Sequence, residues 1–187
     1  ATLAPNRIEA IVREDGSYVV AWRVANGSAY VTRLDGGGTR LGPDTILGAT
    51  GFDGPSIAWS GLELAALWLT PGGDLTFTRL TPAGERVGSD ILLRVASPGM
   101  PTSSPSLIWT NDRWLASWCQ NDGSGSTDVF ARQVSPAGGV LGGLIRVTTS
   151  GHVVDMRSVW AGDQIGYGWS DDRDGNSEIY FARLRCN

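Results

Sequence analysis

Apolar residues in this chain come in short runs divided by turn residues. Ile57-Ala58-Trp59 precedes Leu64-Ala65-Ala66-Leu67-Trp68, Leu107-Ile108-Trp109 precedes Trp114-Leu115-Ala116-Ser117-Trp118, and Val159-Trp160 precedes Ile165-Gly166-Tyr167-Gly168-Trp169. Ile11-Val12 and Tyr18-Val19-Val20-Ala21-Trp22 complete the set. Between the runs of each pair stand Asp15-Gly16, Ser60-Gly61, Asn111-Asp112 and Gly162-Asp163, the residues a tight hairpin requires. A third run follows in each copy: Tyr30–Leu34, Leu75–Leu80, Val129–Val134 and Ile179–Leu184. Its alternation and its β-branched and aromatic content predict a strand. A second turn (Gly36-Gly37-Gly38, Pro82-Ala83-Gly84 or Pro136-Ala137-Gly138) leads to a fourth, more polar run at Ile46-Leu47, Ile91–Leu93 and Leu144–Val147, as an outer edge strand should be.

The tryptophans fix the period. Trp59 and Trp68, Trp109 and Trp118, and Trp160 and Trp169 each stand nine residues apart, and Arg13 holds the matching place before Trp22. Four copies of a four-stranded unit of about fifty residues therefore fill the chain. A twisted sheet of this size cannot bury both of its faces alone, but radially packed neighbours can cover them. The pattern predicts an all-β fold, a single four-bladed β-propeller over residues 1–187, with repeats at about 5–50, 51–100, 101–152 and 153–187 plus 1–4. The fourth copy ends at Cys186-Asn187 without an outer strand, and Thr2-Leu3-Ala4 is expected to supply it and close the ring, the alternative being that the four repeats are part of a larger or multimeric propeller. The tryptophans should fill the wedges between blades, and the inner strands around Ile11, Ile57, Leu107 and Val159 should line an axial channel.

Composition narrows the function classes. With 41% hydrophobic residues, 18% charged residues and a net charge of −4, the chain has a soluble globular profile, not a disordered or nucleic-acid-binding one. No apolar run approaches the ~18 residues that span a bilayer. Ala1-Thr2-Leu3-Ala4 lacks a charged stretch followed by an apolar one, so any export signal is expected to have been removed. All 15 basic residues are arginine, as a GC-rich bacterial genome would give. The 26 glycines and 8 tryptophans fit many turns and face-packed sheets.

Ser158-Val159-Trp160-Ala161-Gly162-Asp163, followed by Gly168-Trp169-Ser170-Asp171-Asp172-Arg173-Asp174-Gly175-Asn176-Ser177-Glu178-Ile179-Tyr180, resembles the TolB-type propeller repeat. The third copy resembles it in part, from Asn121-Asp122-Gly123 to Asp128-Val129-Phe130, and the first two faintly. The resemblance implies blades, a secreted, periplasmic or cell-surface location and a habit of binding proteins or ligands, with no catalytic residues to carry over.

Candidate chemistry is thin. The acidic turn offers oxygen ligands at alternate positions, Asp172, Asp174 and Asn176, which a hard cation such as calcium would accept, but such residues more often serve as turn formers. Backbone carbonyls along an axial channel could hold a structural calcium or another ion, and no cofactor is required. His152, the single histidine, has only Asp155 near it in sequence. No nucleophile elbow and no facing pair of carboxylates is legible, so no catalytic residue is assigned. Arg33, Arg79 and Arg183 recur in the third strand, with Gln133 in the remaining copy, and are expected to brace neighbouring blades through backbone carbonyls. Arg13 breaks the tryptophan series, which marks either closure at the first blade or a polar pocket, and Arg13, Asn121, Asp122, Asp172, Asp174 and Asn176 are the candidate ligand contacts. Cys119 and Cys186 fall toward opposite rims, which argues against a disulfide.

These features together predict an exported, non-enzymatic, lectin-like binding module, monomeric or a small homo-oligomer, that holds a protein or carbohydrate through rim loops and neither binds nucleic acid nor enters a membrane. The competing expectations are a propeller-based hydrolase or lyase with an axial pocket, and a structural or assembly protein.

Overall fold

The structure, a computed structural model, describes residues 8–24, 27–51, 53–149 and 151–185. The Thr2–Ala4 segment expected to close a ring, and Cys186, lie outside the described residues. The chain divides into two compact units, Ala1–Val95 and Ala96–Asn187.

Among the described residues every regular element is a strand. In the first unit these are β1 (Ile8–Val12), β2 (Tyr18–Arg23), β3 (Ser28–Leu34) and β4 (Thr45–Ala49), then β5 (Ser56–Trp59), β6 (Leu64–Leu69), β7 (Leu75–Leu80) and β8 (Ile91–Arg94). They pair as two antiparallel meanders, β1-β2-β3-β4 and β5-β6-β7-β8. The second unit holds β9 (Thr102–Trp109), β10 (Trp114–Asn121), β11 (Thr127–Val134) and β12 (Val140–Arg146), then β13 (Val153–Trp160), β14 (Gln164–Asp171) and β15 (Glu178–Arg185). Its sheets are β9-β10-β11-β12 and the three-stranded β13-β14-β15. The all-β, four-strand-per-repeat reading holds in three of the repeats, and the fourth has three strands among the described residues.

The first turn of each repeat is made by a residue in the left-handed region. Gly61 (φ 90°) and Gly162 (φ 91°) occupy it without a side-chain clash, whereas Asn111 (φ 72°) is one of the few other residue types that tolerate it. In the three two-residue hairpins a single main-chain bond closes the loop: Ser60 N to Glu63 O, Thr110 N to Arg113 O and Ala161 N to Gln164 O, each 2.9–3.0 Å.

In the first unit, one face of β1–β4 packs on one face of β5–β8. Val19, Ala21, Val31 and Leu47 meet Ile57, Leu64, Ala66, Trp68 and Leu80, with Ile11 and Trp59 at the margin. Ile11 and Ile57 thus join the core between two sheets, contrary to the axial lining expected of them. Strand alternation points them at the neighbouring sheet.

Polar contacts reinforce this joint. Trp68 Nε1–H donates to Thr78 Oγ1 (3.0 Å), and the Thr78 hydroxyl donates to Asp90 (2.8 Å). Trp22, Thr32 and Asp44 repeat the relay at 2.8 and 2.7 Å. Each aspartate is paired with an arginine four residues earlier, Arg40 with Asp44 and Arg86 with Asp90. Arg86 also reaches across to the main-chain carbonyl of Leu47, and Thr45 Oγ1 donates to Gly84 O (2.6 Å).

Arg86 braces the two sheets through a main-chain carbonyl, the role expected of the recurring third-strand arginines. Arg33 donates to Leu41 O (2.9 Å) and Arg79 pairs with Glu63 (2.8 Å), both within their own sheets, while Arg183 is exposed on β15. A side chain midway along a strand reaches its lateral neighbours, whereas the loop carrying Arg86 overhangs the adjacent sheet.

The second unit repeats the scheme. Leu115, Cys119, Val129 and Ala131 of one sheet meet Met156, Ile165, Tyr167 and Trp169 of the other, with Ile108, Ile145, Trp160, Tyr180 and Leu184 around them. Ser117 and Tyr167, both fully buried, share a hydrogen bond of 3.0 Å across the joint. The inner strands are tied by Ser106, whose Oγ accepts from Ser158 N (3.0 Å). Glu9 does the same work in the first unit, accepting from Ser56 Oγ (3.0 Å) and Ile57 N (3.3 Å).

Candidate functional site

A cleft of about 480 Å³ lies between the two sheets of the second unit. Thr110, Asp112 and Arg113 enter from the β9–β10 turn, Ala131 and Gln133 from β11, and Tyr167 and Arg185 from β14 and β15. The place held by Val31 in the first unit, where the sheets are closed by buried Val31, Leu47, Leu64 and Leu80, is held here by the smaller Ala131.

A second exchange supplies polarity. Glu63 and Arg79 form a bidentate pair in the second repeat; the matching residues of the third are Arg113 and Gln133, joined by a bond of 3.1 Å from Arg113 Nη1 to Gln133 Oε1. Arg113 grips Asp112 as well, Nε to Oδ1 at 2.9 Å and Nη2 to Oδ2 at 2.5 Å, and this bond holds the Asp112 carboxyl below its ordinary value. The floor is apolar (Leu115, Ile145, Ile165, Leu184) and the mouth carries amide, guanidinium and carboxylate groups, a lining able to hold a polar molecule with one apolar face.

At the β10–β11 and β14–β15 turns, carboxylates are spent on holding the loops. The Asp128 side chain is buried and accepts from Thr148 Oγ1 (2.6 Å), Gly151 N (3.2 Å) and Arg146. Burial pushes its carboxyl up, but these hydrogen bonds and the Arg146 charge outweigh burial and hold it below the ordinary value. Asp171, buried, accepts from Trp169 Nε1 (3.2 Å) and from Arg173 Nε (2.9 Å) and Nη2 (2.5 Å). Arg173 lies 4.2 Å over the Tyr180 ring, and Tyr180 O–H donates to Asp174 (2.5 Å). Ionising the phenol would break that bond beside a carboxylate, so its pKa is pushed up to about 12.

The residues singled out in the sequence take these places. Arg13 lies 4.4 Å over the Trp59 ring, as part of the joint between the first two sheets, and Trp59 Nε1–H donates to the adjacent Glu14 (2.6 Å). Asn121 accepts from Gly123 N (2.8 Å), and Asp122 accepts from Ser124 N (2.8 Å) and Oγ (2.6 Å), both as turn formers. Asp172 pairs with His152 Nδ1 (3.1 Å), Asp174 with Tyr180, and Asn176 is exposed in the same turn. The candidate calcium ligands Asp172 and Asp174 thus face different partners, and among the described residues no group of three or more His, Cys, Asp or Glu side chains converges as a metal site would require. None of these residues lines the cleft. The sequence signal for the cleft was the exchange of Glu63 and Arg79 for Arg113 and Gln133 at matching repeat positions, visible only once the repeats are aligned.

The fold is that of a β-propeller. Searches with family models and against curated protein sequences return no match. Solved structures do match. GH43B of the Bacteroides ovatus xyloglucan PUL covers 100% of this chain at 14% identity and TM-score 0.59, over 41% of its own length. An endo-arabinase of Bacteroides thetaiotaomicron covers 100% at 12% identity and TM-score 0.58, over 76% of its length. An α-L-arabinanase of Penicillium chrysogenum, complexed with arabinobiose, covers 96% at 10% identity and TM-score 0.64, over 62% of its length. The chain therefore spans between two-fifths and three-quarters of the proteins whose fold it shares.

These matches overturn the expectation of a non-enzymatic binding module. The three structures just named are glycan-cleaving enzymes and not binding modules. Turn motifs misled because Asn, Asp and Gly shape loops in enzymes and binders alike.

Proposed function

We propose that the chain is a propeller module of a glycoside hydrolase acting on arabinose- or xylose-containing glycans. The reading is carried by one observation, the likeness of 96–100% of the chain to arabinan- and xyloglucan-related hydrolase structures. The cleft of the second unit supports it, since an apolar floor with a charged and amide rim suits a sugar ring, which has apolar faces and hydroxyl edges.

Glycoside hydrolysis needs two carboxyl groups, one kept protonated to donate to the leaving oxygen and one ionised as base or nucleophile. Asp112, held ionised by Arg113, suits the second role. The proton donor is not among the cleft-lining residues. An extracytoplasmic location goes with this reading, because polymeric glycans are met outside the cell.

The test is an assay of the purified chain on linear and branched arabinan, arabinoxylan, xyloglucan, and aryl α-L-arabinofuranosides and β-D-xylosides. Sugar release is expected from at least one of them, with Asp112→Asn lowering the rate at least about 100-fold. No release above the blank from any substrate would refute the reading.

A further inference from the structure

The cleft between the two sheets of the second unit differs in charge from the chain as a whole. The chain carries a net charge of −4, yet the cleft lining holds two guanidinium groups, Arg113 and Arg185, and one carboxylate, Asp112. That carboxylate is already neutralised, since Arg113 Nε holds Oδ1 at 2.9 Å and Nη2 holds Oδ2 at 2.5 Å. Arg113 Nη1 is turned to Gln133 Oε1 (3.1 Å). Arg185 is exposed at the end of β15, and among the described residues no carboxylate pairs with it. The lining therefore keeps one positive charge in excess, beside an apolar floor.

The matching joint of the first unit forms without these cations. Arg113 precedes Trp114, which opens β10, as Ser17 precedes Tyr18, which opens β2. Arg185 follows Leu184, paired with Ile165, as Thr81 follows Leu80, paired with Leu64. Ser17 and Thr81 spend their hydroxyls on turns: Ser17 Oγ donates to Asp15 (2.6 Å), and Thr81 Oγ1 accepts from Glu85 N (3.1 Å). The first sheet does carry Arg33 where the third carries Gln133, but Arg33 donates to Leu41 O of its own sheet (2.9 Å). Two guanidinium groups thus enter at the joint that holds the cleft, at places where the packing of the sheets does not call for them.

A ligand suited to this lining has an apolar face for the floor, hydroxyl edges for Gln133 and Thr110, and a carboxylate for Arg185. A guanidinium meets a carboxylate through two parallel N–H···O bonds, which are stronger than its bonds to neutral hydroxyls. A neutral pentose supplies the first two features, and a sugar acid supplies all three.

We propose that the cleft takes a uronic acid residue borne by a glycan, with the carboxylate on Arg185 and one face of the ring on the apolar floor. The proposal rests on the reading of the cleft as a glycan site and adds the charge of the sugar that it holds. Asp112 does not repel such a ligand, because Arg113 already balances its charge.

Titrations of the full chain followed by amide NMR test it, with glucuronate and galacturonate, their neutral parents glucose and galactose, and acetate. At least one uronate is expected to bind about 5-fold tighter than its parent or better, the margin of one exposed charge-assisted bond. Arg185→Gln, whose fold circular dichroism checks, is expected to remove most of that margin, and Arg185→Ser replaces it if it does not fold. Uronates no tighter than their parents, an undiminished margin in the variant, or acetate binding as tightly as the uronates would each overturn the proposal. Sugar release plays no part in these titrations. A chain that prefers uronates but cleaves nothing overturns the hydrolase reading alone, and one that cleaves arabinan but shows no such preference overturns this proposal alone.

Discussion

The hydrogen bond between Ser117 and Tyr167 offers a direct measure of how firmly the two sheets of the second unit are joined. Both side chains are fully buried and their oxygens lie 3.0 Å apart. Tyr167→Phe keeps the ring and its packing but takes that partner from the Ser117 hydroxyl, and Ser117→Ala takes the Ser117 partner from the phenol. Leaving a buried hydroxyl short of a partner costs about 1–3 kcal/mol, whereas removing both members is close to neutral apart from the small space vacated. Each single variant should therefore lose about 1–2 kcal/mol, and the double variant about as much as one of them. The coupling should be about 1 kcal/mol or more. Urea unfolding followed by tryptophan fluorescence, with unchanged slopes, reads all four corners of the cycle. Costs that simply add to within about 0.3 kcal/mol would show that the bond is not shared across the joint, and the account of the interface given above would fail.

Two further outcomes follow from the same geometry. The Asp128 carboxyl, held below its ordinary value of 3.8, contributes stability that is present above that pH and lost as pH falls through its folded value; acid unfolding should steepen below about pH 4, and Asp128→Asn should flatten that slope while costing about 1–3 kcal/mol at neutral pH. In the first unit Gly48 has φ 148°, and a Cβ there would stand 2.7 Å from the Trp68 ring, so Gly48→Ala should destabilise the protein by about 1–3 kcal/mol in thermal or urea unfolding; no measurable loss would mean that β4 does not press on Trp68 as described.

Much of the fold could be read from the chain because its causes are local. The hairpins at Gly61, Asn111 and Gly162 follow from residues that accept left-handed backbone, and the nine-residue tryptophan interval reports strand length plus turn. Outer strands were harder. β12 begins at Val140, four residues before the apolar run that announced it, since an edge strand is held by its ladder as much as by side chains. Side-chain roles were legible only in part. Arg33 and Arg79 drew attention by recurring in strands, yet Arg86, which reaches a carbonyl of the adjacent sheet, sits in a loop whose overhang no periodicity reveals. The cleft depends on Ala131 and Gln133 of β11 meeting Tyr167 of β14, and no linear spacing encodes that convergence. In the acidic turns Asp171 holds Arg173 and Asp128 holds Thr148, pairings that no linear pattern announces.

The grip of Arg86 on the Leu47 carbonyl, together with that of Thr45 on the Gly84 carbonyl, has a consequence for how such a chain can change over generations. Each fastener takes hold of an oxygen that every amino acid carries. The strand being held can drift in sequence without loosening the grip, and a duplicated copy arrives already able to seize its new neighbour. Lengthening by tandem copying is thereby cheap, and divergence of the copies, as in the loss of the arginine and aspartate from the third, need not wait for matching changes next door.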